Sequence, residues 1–435
     1  MKDMKRLVSF AIACMSLIDG HAQTGSWSGE LNVMGQKLPL VFNFSDQGCT
    51  MDSPKQGAKG IKTAWTPSDN GEVVIDIPMI GASYKGKLNG QEISGDFRQS
   101  GMSFPLTLTQ AEIEKPKRPQ TPVAPFPYTT EEVSFKNGKV ELHGTLTLPV
   151  KYTKNTPAVV MVTGSGQQNR DEELFDHKPF AVIADALARK GIATLRYDDR
   201  FWNDKNEVFA NYTTYHFKHD ALAAVNLLRK RFAQVGVLGH SEGGTIALLL
   251  AEEGKVDFIV SLAGMVGNGK ECLLKQNSVM LSKVGVPSDQ VQAYCDALSK
   301  GFDQLIAGKA ANEIVSPTNL EPSLASNLNA AMKQASSPWF LHFLQLDPSK
   351  DLHKISCPVL ALNGKLDTQV DCEQNLELLR NNLKTKNKKI LALENLNHLF
   401  QNCKTGLVTE YGEIEETISP NVLDTISAWI NDSSK

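Results

Sequence analysis

Between positions 235 and 250 the sequence passes from a continuous apolar run, Val235-Gly236-Val237-Leu238, through Gly239-His240-Ser241-Glu242-Gly243-Gly244 into a second apolar stretch. A short run without polar alternation, bounded by glycines, reads as a strand buried on both faces. The stretch after the glycines has the length and composition of a helix reaching Glu252. A strand and a helix joined so tightly must reverse direction at Ser241. Glycines two positions to either side then let the backbone pass where a side chain would block it. A G-x-S-x-G string by itself occurs often by chance; its placement between a buried strand and an apolar helix is the informative part.

The same alternation extends over residues 129–433. Residues 133–148 read as a hairpin turning at Asn137-Gly138, and 158–162 as a buried strand. Helices are expected at 180–190, 219–231, 241–252, 375–383 and 421–430, with strands at 192–197, 235–238, 258–262, 359–362 and 390–393. Strand–helix alternation of this kind builds a mostly parallel sheet with helices on both faces, an α/β fold. One stretch interrupts it. Residues 265–348 are rich in Leu, Ala, Met and Asn and contain no clear strand. An insert there, between the sixth and seventh strands, falls above the carboxyl ends of the strands, where ligands bind in such sheets. It is expected to be a helical cap.

The N-terminal part differs. Lys2, Lys5 and Arg6 precede an apolar stretch at 7–18 and the small residues around Ala22, the pattern of a secretory signal peptide over 1–22. Residues 25–110 show short alternating or β-branched runs separated by turn signals such as Asn70-Gly71 and Asn89-Gly90. They read as a small all-β domain, a sandwich or a barrel. Pro116, Pro119, Pro122, Pro125 and Pro127 then favour an extended linker over 111–128. At 435 residues the chain suits two domains. Its net charge of -3 offers no basic face for nucleic acid, and beyond the leader no apolar run is long enough to span a bilayer. No cysteine pair has the spacing of a zinc or redox motif. Export permits disulfides, so Cys372 with Cys403 and Cys272 with Cys295 are open pairings, as are free thiols.

A hydroxyl nucleophile needs a base, and histidine has the pKa for that work. Of the 9 histidines, His398 follows the last strand in Asn395-Leu396-Asn397-His398. Asp367 follows the penultimate strand in Asn363-Gly364-Lys365-Leu366-Asp367, and the chain order Ser241, Asp367, His398 is a known catalytic order. Asp371 is the rival carboxylate, with helix capping as its other reading. His177, His216 and His219 read as surface or capping residues, and His240 as packing within the elbow. The oxyanion of acyl transfer needs backbone donors. These are the N–H of Glu242 and that of Ser165, or less favourably Gly166, in Thr163-Gly164-Ser165-Gly166. Trp202, Trp339 and Phe340, with Phe201, are candidates for an apolar substrate pocket or for plain core. Arg170 and Asp171 fit ion pairs to the 197–200 segment. Nothing in the pattern calls for a cofactor or a metal.

Taken together, Thr163-Gly164-Ser165-Gly166, Arg196-Tyr197-Asp198-Asp199-Arg200, Gly239-His240-Ser241-Glu242-Gly243-Gly244, Gly364-Lys365-Leu366-Asp367 and Asn397-His398 resemble the α/β-hydrolase superfamily. The likeness is strongest to bacterial carboxylesterases and acyl hydrolases related to prolyl-oligopeptidase-like enzymes. The resemblance implies hydrolysis of small-molecule esters, short-chain or aryl, through an acyl-enzyme. Two positions depart from it: Phe201-Trp202 stand where many relatives have Gly, and Thr163 where many have His. The alternatives are a serine aminopeptidase or dipeptidyl peptidase, an acyltransferase of the same fold, and a ligand-binding protein with an inert hydrolase fold.

Overall fold

The computed structural model describes residues 25–33, 36–65, 71–99, 102–110, 116–202, 204 and 207–433. The expected signal peptide lies outside the described residues. The chain divides into two compact units, Met1–Lys115 and Pro116–Lys435.

In the first unit, strands β1 (Gly25–Val33), β2 (Gln36–Ser45), β3 (Gly48–Ser53), β4 (Ala58–Lys62), β5 (Ala64–Trp65), β6 (Glu72–Ile77), β7 (Ala82–Asn89), β8 (Glu92–Gln99) and β9 (Met102–Thr109) form one antiparallel sheet. Its order is β4-β3-β2-β1-β9-β8-β7-β6-β5. The two ends of that order, β4 and β5, are halves of one extended segment. The first half pairs with β3 and the second with β6, so the meander closes into a barrel. Closure shortens the edges open to another chain. Side chains alternate as the pleat requires: Val73, Ile75 and Ile77 of β6 point inward while Val74 and Asp76 face out. Phe42, Met51, Ile93 and Leu108 help fill the interior, and the Tyr84 hydroxyl there lies 2.9 Å from the Ile93 carbonyl.

The second unit holds β10 (Thr129–Asn137), β11 (Val140–Leu148), β12 (Ala158–Val162), β13 (Ala193–Tyr197), β14 (Val235–His240), β15 (Ile259–Leu262), β16 (Val359–Gly364) and β17 (Lys388–Leu393). The order is β10-β11-β13-β12-β14-β15-β16-β17, parallel from β13 onward, with the β10–β11 hairpin antiparallel at one edge. Helices α1 (Pro179–Arg189), α2 (Thr214–Leu228) and α3 (Glu242–Glu252) precede an insert between β15 and β16. That insert contains α4 (Gly269–Lys283), α5 (Ser288–Ile306), α6 (Pro322–Ala335) and α7 (Pro338–Gln345). Helices α8 (Cys372–Asn382) and α9 (Pro420–Ser433) complete the unit. Successive strand residues feed opposite layers. Val160, Leu195 and Val237 pack under α2, α3 and α8, whereas Val159, Met161 and Leu238 pack under α1 and α9. This is the three-layered α/β-hydrolase architecture with a helical cap, preceded by a small β domain.

Some local details depart from expectation. Helix α2 begins at Thr214 rather than near 219, because Thr213 and His216 form a capping box that starts it earlier. The proline-rich stretch from Pro116 on belongs to the second unit instead of hanging free. Arg118 donates to the carbonyls of Phe175, Gly412 and Ile414, and Gln120 clamps Thr417 and Ile418. His177 is buried, not at the surface, and bonded to Thr417 Oγ1 at 2.8 Å; burial pulls its pKa down to about 4. The cysteines Cys49, Cys272, Cys295, Cys357, Cys372 and Cys403 are all free thiols, so neither candidate pair is bridged. Among the described residues, no helix is long and apolar enough to cross a membrane.

Glu252 ends α3 at the negative pole of the helix dipole, with one carboxylate oxygen buried and unpartnered among the described residues. Burial, then the nearby Asp351, pushes its carboxyl up to about 8. A carboxyl held protonated by the fold favours the native state at acid pH, and that contribution is lost as pH rises from about 4.5 through 8. Glu252→Gln is therefore expected to unfold at a higher temperature than the parent at pH 9 and to show no such gain at pH 4. Thermal melts at both pH values measure this.

Candidate active site

Strand β14 delivers Ser241 onto a bend that few residues with a Cβ adopt: its φ is +53° and ψ is −119°. The Ser241 N–H donates to the Leu262 carbonyl at 2.8 Å, tying the bend to the end of β15. Steric need for glycine is explicit on both sides. A Cβ at Gly239 would sit 1.9 Å from the Gly243 carbonyl oxygen, and one at Gly243 would sit 2.0 Å from that of Val162. The turn is thus packed backbone against backbone, with α3 starting beneath it.

His398 is carried by the loop after β17, which Asn397 organises from inside. The Asn397 side-chain Oδ1, buried, accepts the N–H groups of Leu399 and Gln401, each at 3.0 Å. His398 is itself buried, and its Nδ1 lies 2.7 Å from Asp367 Oδ2. Asp367 is in turn fixed. Its Oδ1 accepts from the N–H groups of Gln369 (2.8 Å) and Val370 (2.9 Å), and its Oδ2 from the Asn363 amide at 3.0 Å. A carboxylate bonded on both oxygens orients an imidazole and fixes its tautomer. Asp371 instead caps α8 by accepting from the Gln374 N–H at 2.9 Å.

After β12, the Gly164 N–H is taken by Glu172 Oε1 at 2.8 Å. The backbone N–H groups of Ser165 and Glu242 have no hydrogen-bond partner among the described residues, and both residues border the same cavity as Ser241 and His398. The acidic segment behind this turn holds it in place. Arg170 forks onto Asp198, Arg196 pairs with Asp171, and Asp199 accepts from Thr163 Oγ1 (3.0 Å) and the Gln168 N–H (2.7 Å). Burial pushes the Asp199 carboxyl well above the usual range.

The cavity over Ser241 measures about 540 Å³ and is walled by Trp339, Phe340 and Phe343 of α7, Leu273 and Gln276 of α4, and Leu399 and Tyr411. Trp339 and Phe340 therefore line it. Trp202 does not: it stands 41% exposed in the turn after Arg200 and is absent from the cavity wall. Trp339 Nε1 donates to Glu242 Oε1 at 3.0 Å, and the Thr214 hydroxyl donates to the same oxygen at 2.7 Å. Burial raises the Glu242 carboxyl, opposed by these bonds and one from the Ser165 hydroxyl. Cys272 also borders the cavity, but burial pushes its thiol up to about 12, which leaves it a poor nucleophile. Among the described residues no cluster of His, Cys, Asp and Glu could hold a metal ion.

Two residues near the site carry contacts that sequence reading did not assign. Glu172 and His240 are buried and bonded to each other at 2.9 Å. His240 adjoins the nucleophile and was visible on that account. Glu172 gave no signal beyond lying shortly after the glycine turn.

The family described as X-Pro dipeptidyl-peptidase (S15 family) matches residues 137–399, well over half of the chain. The chain belongs to the S15 family. The matched residues of this S15 chain run from the edge hairpin to the His398 loop, so they include Ser241, Asp367 and His398. Esterase EstD of Thermotoga maritima is 28% identical over 293 residues, which cover 66% of this chain and 65% of that protein. The match thus spans less than two thirds of the relative's length. Among solved structures, a proline iminopeptidase of Mycobacterium smegmatis aligns over 70% of this chain and 99% of its own, at 14% identity and TM-score 0.45. The Pyrococcus furiosus esterase Pf2001 aligns over 75% and 100%, at 13% identity and TM-score 0.43.

Gly239→Ala is expected to remove about 3 kcal/mol or more of stability, at the upper end for overpacking, because backbone must move to admit the methyl group. A urea titration read by fluorescence would show the midpoint fall. A midpoint equal to the parent's would mean the elbow is not packed as described.

Proposed function

We propose that this S15-family chain is a serine carboxylic-ester hydrolase acting through an acyl-enzyme on neutral small-molecule esters. Ser241 is the nucleophile, His398 the base and Asp367 the group that orients it. The backbone N–H groups of Glu242 and Ser165 receive the oxyanion. The observation that carries the reading is the doubly anchored Asp367 bonded to His398 Nδ1, at the wall of the cavity into which the strained Ser241 opens.

In the first step His398 Nε2 takes the proton of the Ser241 hydroxyl as its oxygen attacks the ester carbonyl. Asp367 stabilises the imidazolium that results, and the carbonyl oxygen, now negative, turns toward the two N–H groups. His398 returns the proton to the departing alcohol. Water then repeats the sequence on the acyl-enzyme and restores the serine. Each oxyanion donor is worth on the order of 3 kcal/mol of transition-state stabilisation. The Glu242 donor stands at the N-terminus of α3, where the helix dipole also favours the developing negative charge.

Esters are favoured over peptides by how the carboxylates at the cavity are used. A dipeptidyl peptidase must receive the ammonium group of its substrate with an available acceptor. Glu242 is engaged by Thr214 and Trp339, and Glu172 by Gly164 and His240. Glu173, at the rim, faces Lys178 at 3.6 Å. The remaining wall is aromatic and aliphatic, with neutral glutamines at 167, 168, 276 and 369. Dipeptidyl-peptidase activity is the second reading, and the family match favours it. Export rests on the leader-like residues 1–22 and is part of the same proposal. An intact leader on protein recovered from the producing cells would refute it.

Turnover of p-nitrophenyl acetate and longer acyl esters, with fluorophosphonate labelling of Ser241, is the expected outcome. Hydrolysis of dipeptide anilides without hydrolysis of any ester would replace this reading by the peptidase one. Asp367→Asn should retain the fold and lower kcat by roughly 10⁴-fold, since the amide holds the wrong imidazole tautomer. Steady-state kinetics on the purified variant tests that directly.

A further inference from the structure

We propose that Glu172 and His240 form an internal ion pair that positions the oxyanion turn, the nucleophile elbow and the His398 loop as one unit. This rests on the serine-hydrolase reading above. Both are positioning residues, since neither touches the reacting atoms.

Glu172 is 4% exposed and His240 7%. A single oxygen, Glu172 Oε1, accepts the Gly164 N–H at 2.8 Å and faces His240 Nδ1 at 2.9 Å. On the opposite side of the ring, His240 Nε2 lies 3.0 Å from the carbonyl oxygen of His398. A carbonyl oxygen only accepts, so Nε2 carries a hydrogen. Facing a carboxylate, Nδ1 carries one too. The ring is an imidazolium bonded to an acceptor at each nitrogen.

The geometry explains why such a costly group is kept. Gly164 directly precedes Ser165, whose N–H is the second oxyanion donor. His240 directly precedes Ser241. The third contact is to the backbone of His398 itself. One carboxylate and one imidazolium therefore set the spacing of donor, nucleophile and base, which arrive from three separate loops. Glu172 takes φ +53° to reach this point, an uncommon conformation for its type. A buried ion pair is weak evidence for stability, and its better-attested use is to specify an arrangement.

The titratable groups around the His240 ring are Glu172, Asp367 and His398, whose own ring centroid is 4.8 Å away; Phe400 closes a further side. Burial alone would discharge the ring. The charge and bond of Glu172 outweigh it, so the pKa of His240 is raised. The sign follows: the link holds while the ring is protonated and is lost as pH rises through its raised pKa.

The test uses the full chain, with kcat counted per Ser241 site titrated by fluorophosphonate, so that misfolded protein does not enter. Glu172→Gln keeps the side-chain volume and an acceptor for Gly164 but removes the charge. Per-site kcat is expected to fall about a hundredfold, the scale of a small misplacement of reacting groups, with KM little changed. The alkaline descent of kcat/KM should move to lower pH, because the ring has lost its anionic partner. His240→Gln should lower kcat similarly and abolish that descent. In wild-type protein labelled with ¹⁵N-histidine, the His240 ring should show two N–H groups at pH 7. A Glu172→Gln enzyme with parental per-site kcat, a reduced kcat whose alkaline descent has not moved, or a neutral His240 ring at pH 7 would each overturn the proposal. Failure of the wild type to label at Ser241 would instead remove the hydrolase reading, and this inference with it.

Discussion

Backbone packed against backbone at the elbow is the contact on which the rest of the second unit depends. Gly243 lies so close to the Val162 carbonyl, and Gly239 to that of Gly243, that no side chain fits at either position. An unfavourable backbone conformation of the kind seen at Ser241 costs on the order of 1–3 kcal/mol and persists only when its surroundings over-determine it. Here the surroundings are the fully buried strands β12, β14 and β15 and the apolar helix α3. The sheet core is thus the support that lets one serine be presented at the floor of a cavity.

Above that floor, four buried or nearly buried carboxylates serve four different ends. Asp367 orients the imidazole of His398. Glu242 receives the indole of Trp339 and the hydroxyl of Thr214. Asp199 braces the turn after β12, and Glu172 faces His240. Charges so close together are tolerable because each is met by donors in its immediate neighbourhood. The polar network, rather than the apolar core, brings these loops into register with one another.

What could be read in the sequence was what is encoded locally. The elbow, the buried strands and the insert between β15 and β16 all announce themselves within a few residues, through apolar runs, glycines and a change of period. The His398–Asp367 contact spans a long stretch of chain, yet their order and their places after β16 and β17 sufficed to nominate them. The barrel was only half legible: turn signals gave short strands, but closure depends on one segment, 58–65, pairing with different neighbours at its two ends. Proline density in the 116–127 stretch spoke to missing backbone donors and said nothing of Arg118, which supplies the anchoring from its side chain. Trp202 was chosen by residue type, and type carries no direction. Glu172 was invisible because its partners come from the turn after β12 and from the end of β14 and meet only in the folded chain.

The bond from Trp339 to Glu242 has a consequence for how material reaches the serine. It joins cap helix α7 to Glu242, whose N–H is the proposed oxyanion donor. If α7 lifted like a hinged door, it would pull on the catalytic floor as it rose. The indole side of the chamber is accordingly a fixed wall, and traffic is left to the portions of the roof that make no such attachment. Under the proposed ester hydrolysis, a ring hydrogen-bonded to the residue beside Ser241 then bounds the size of what can enter.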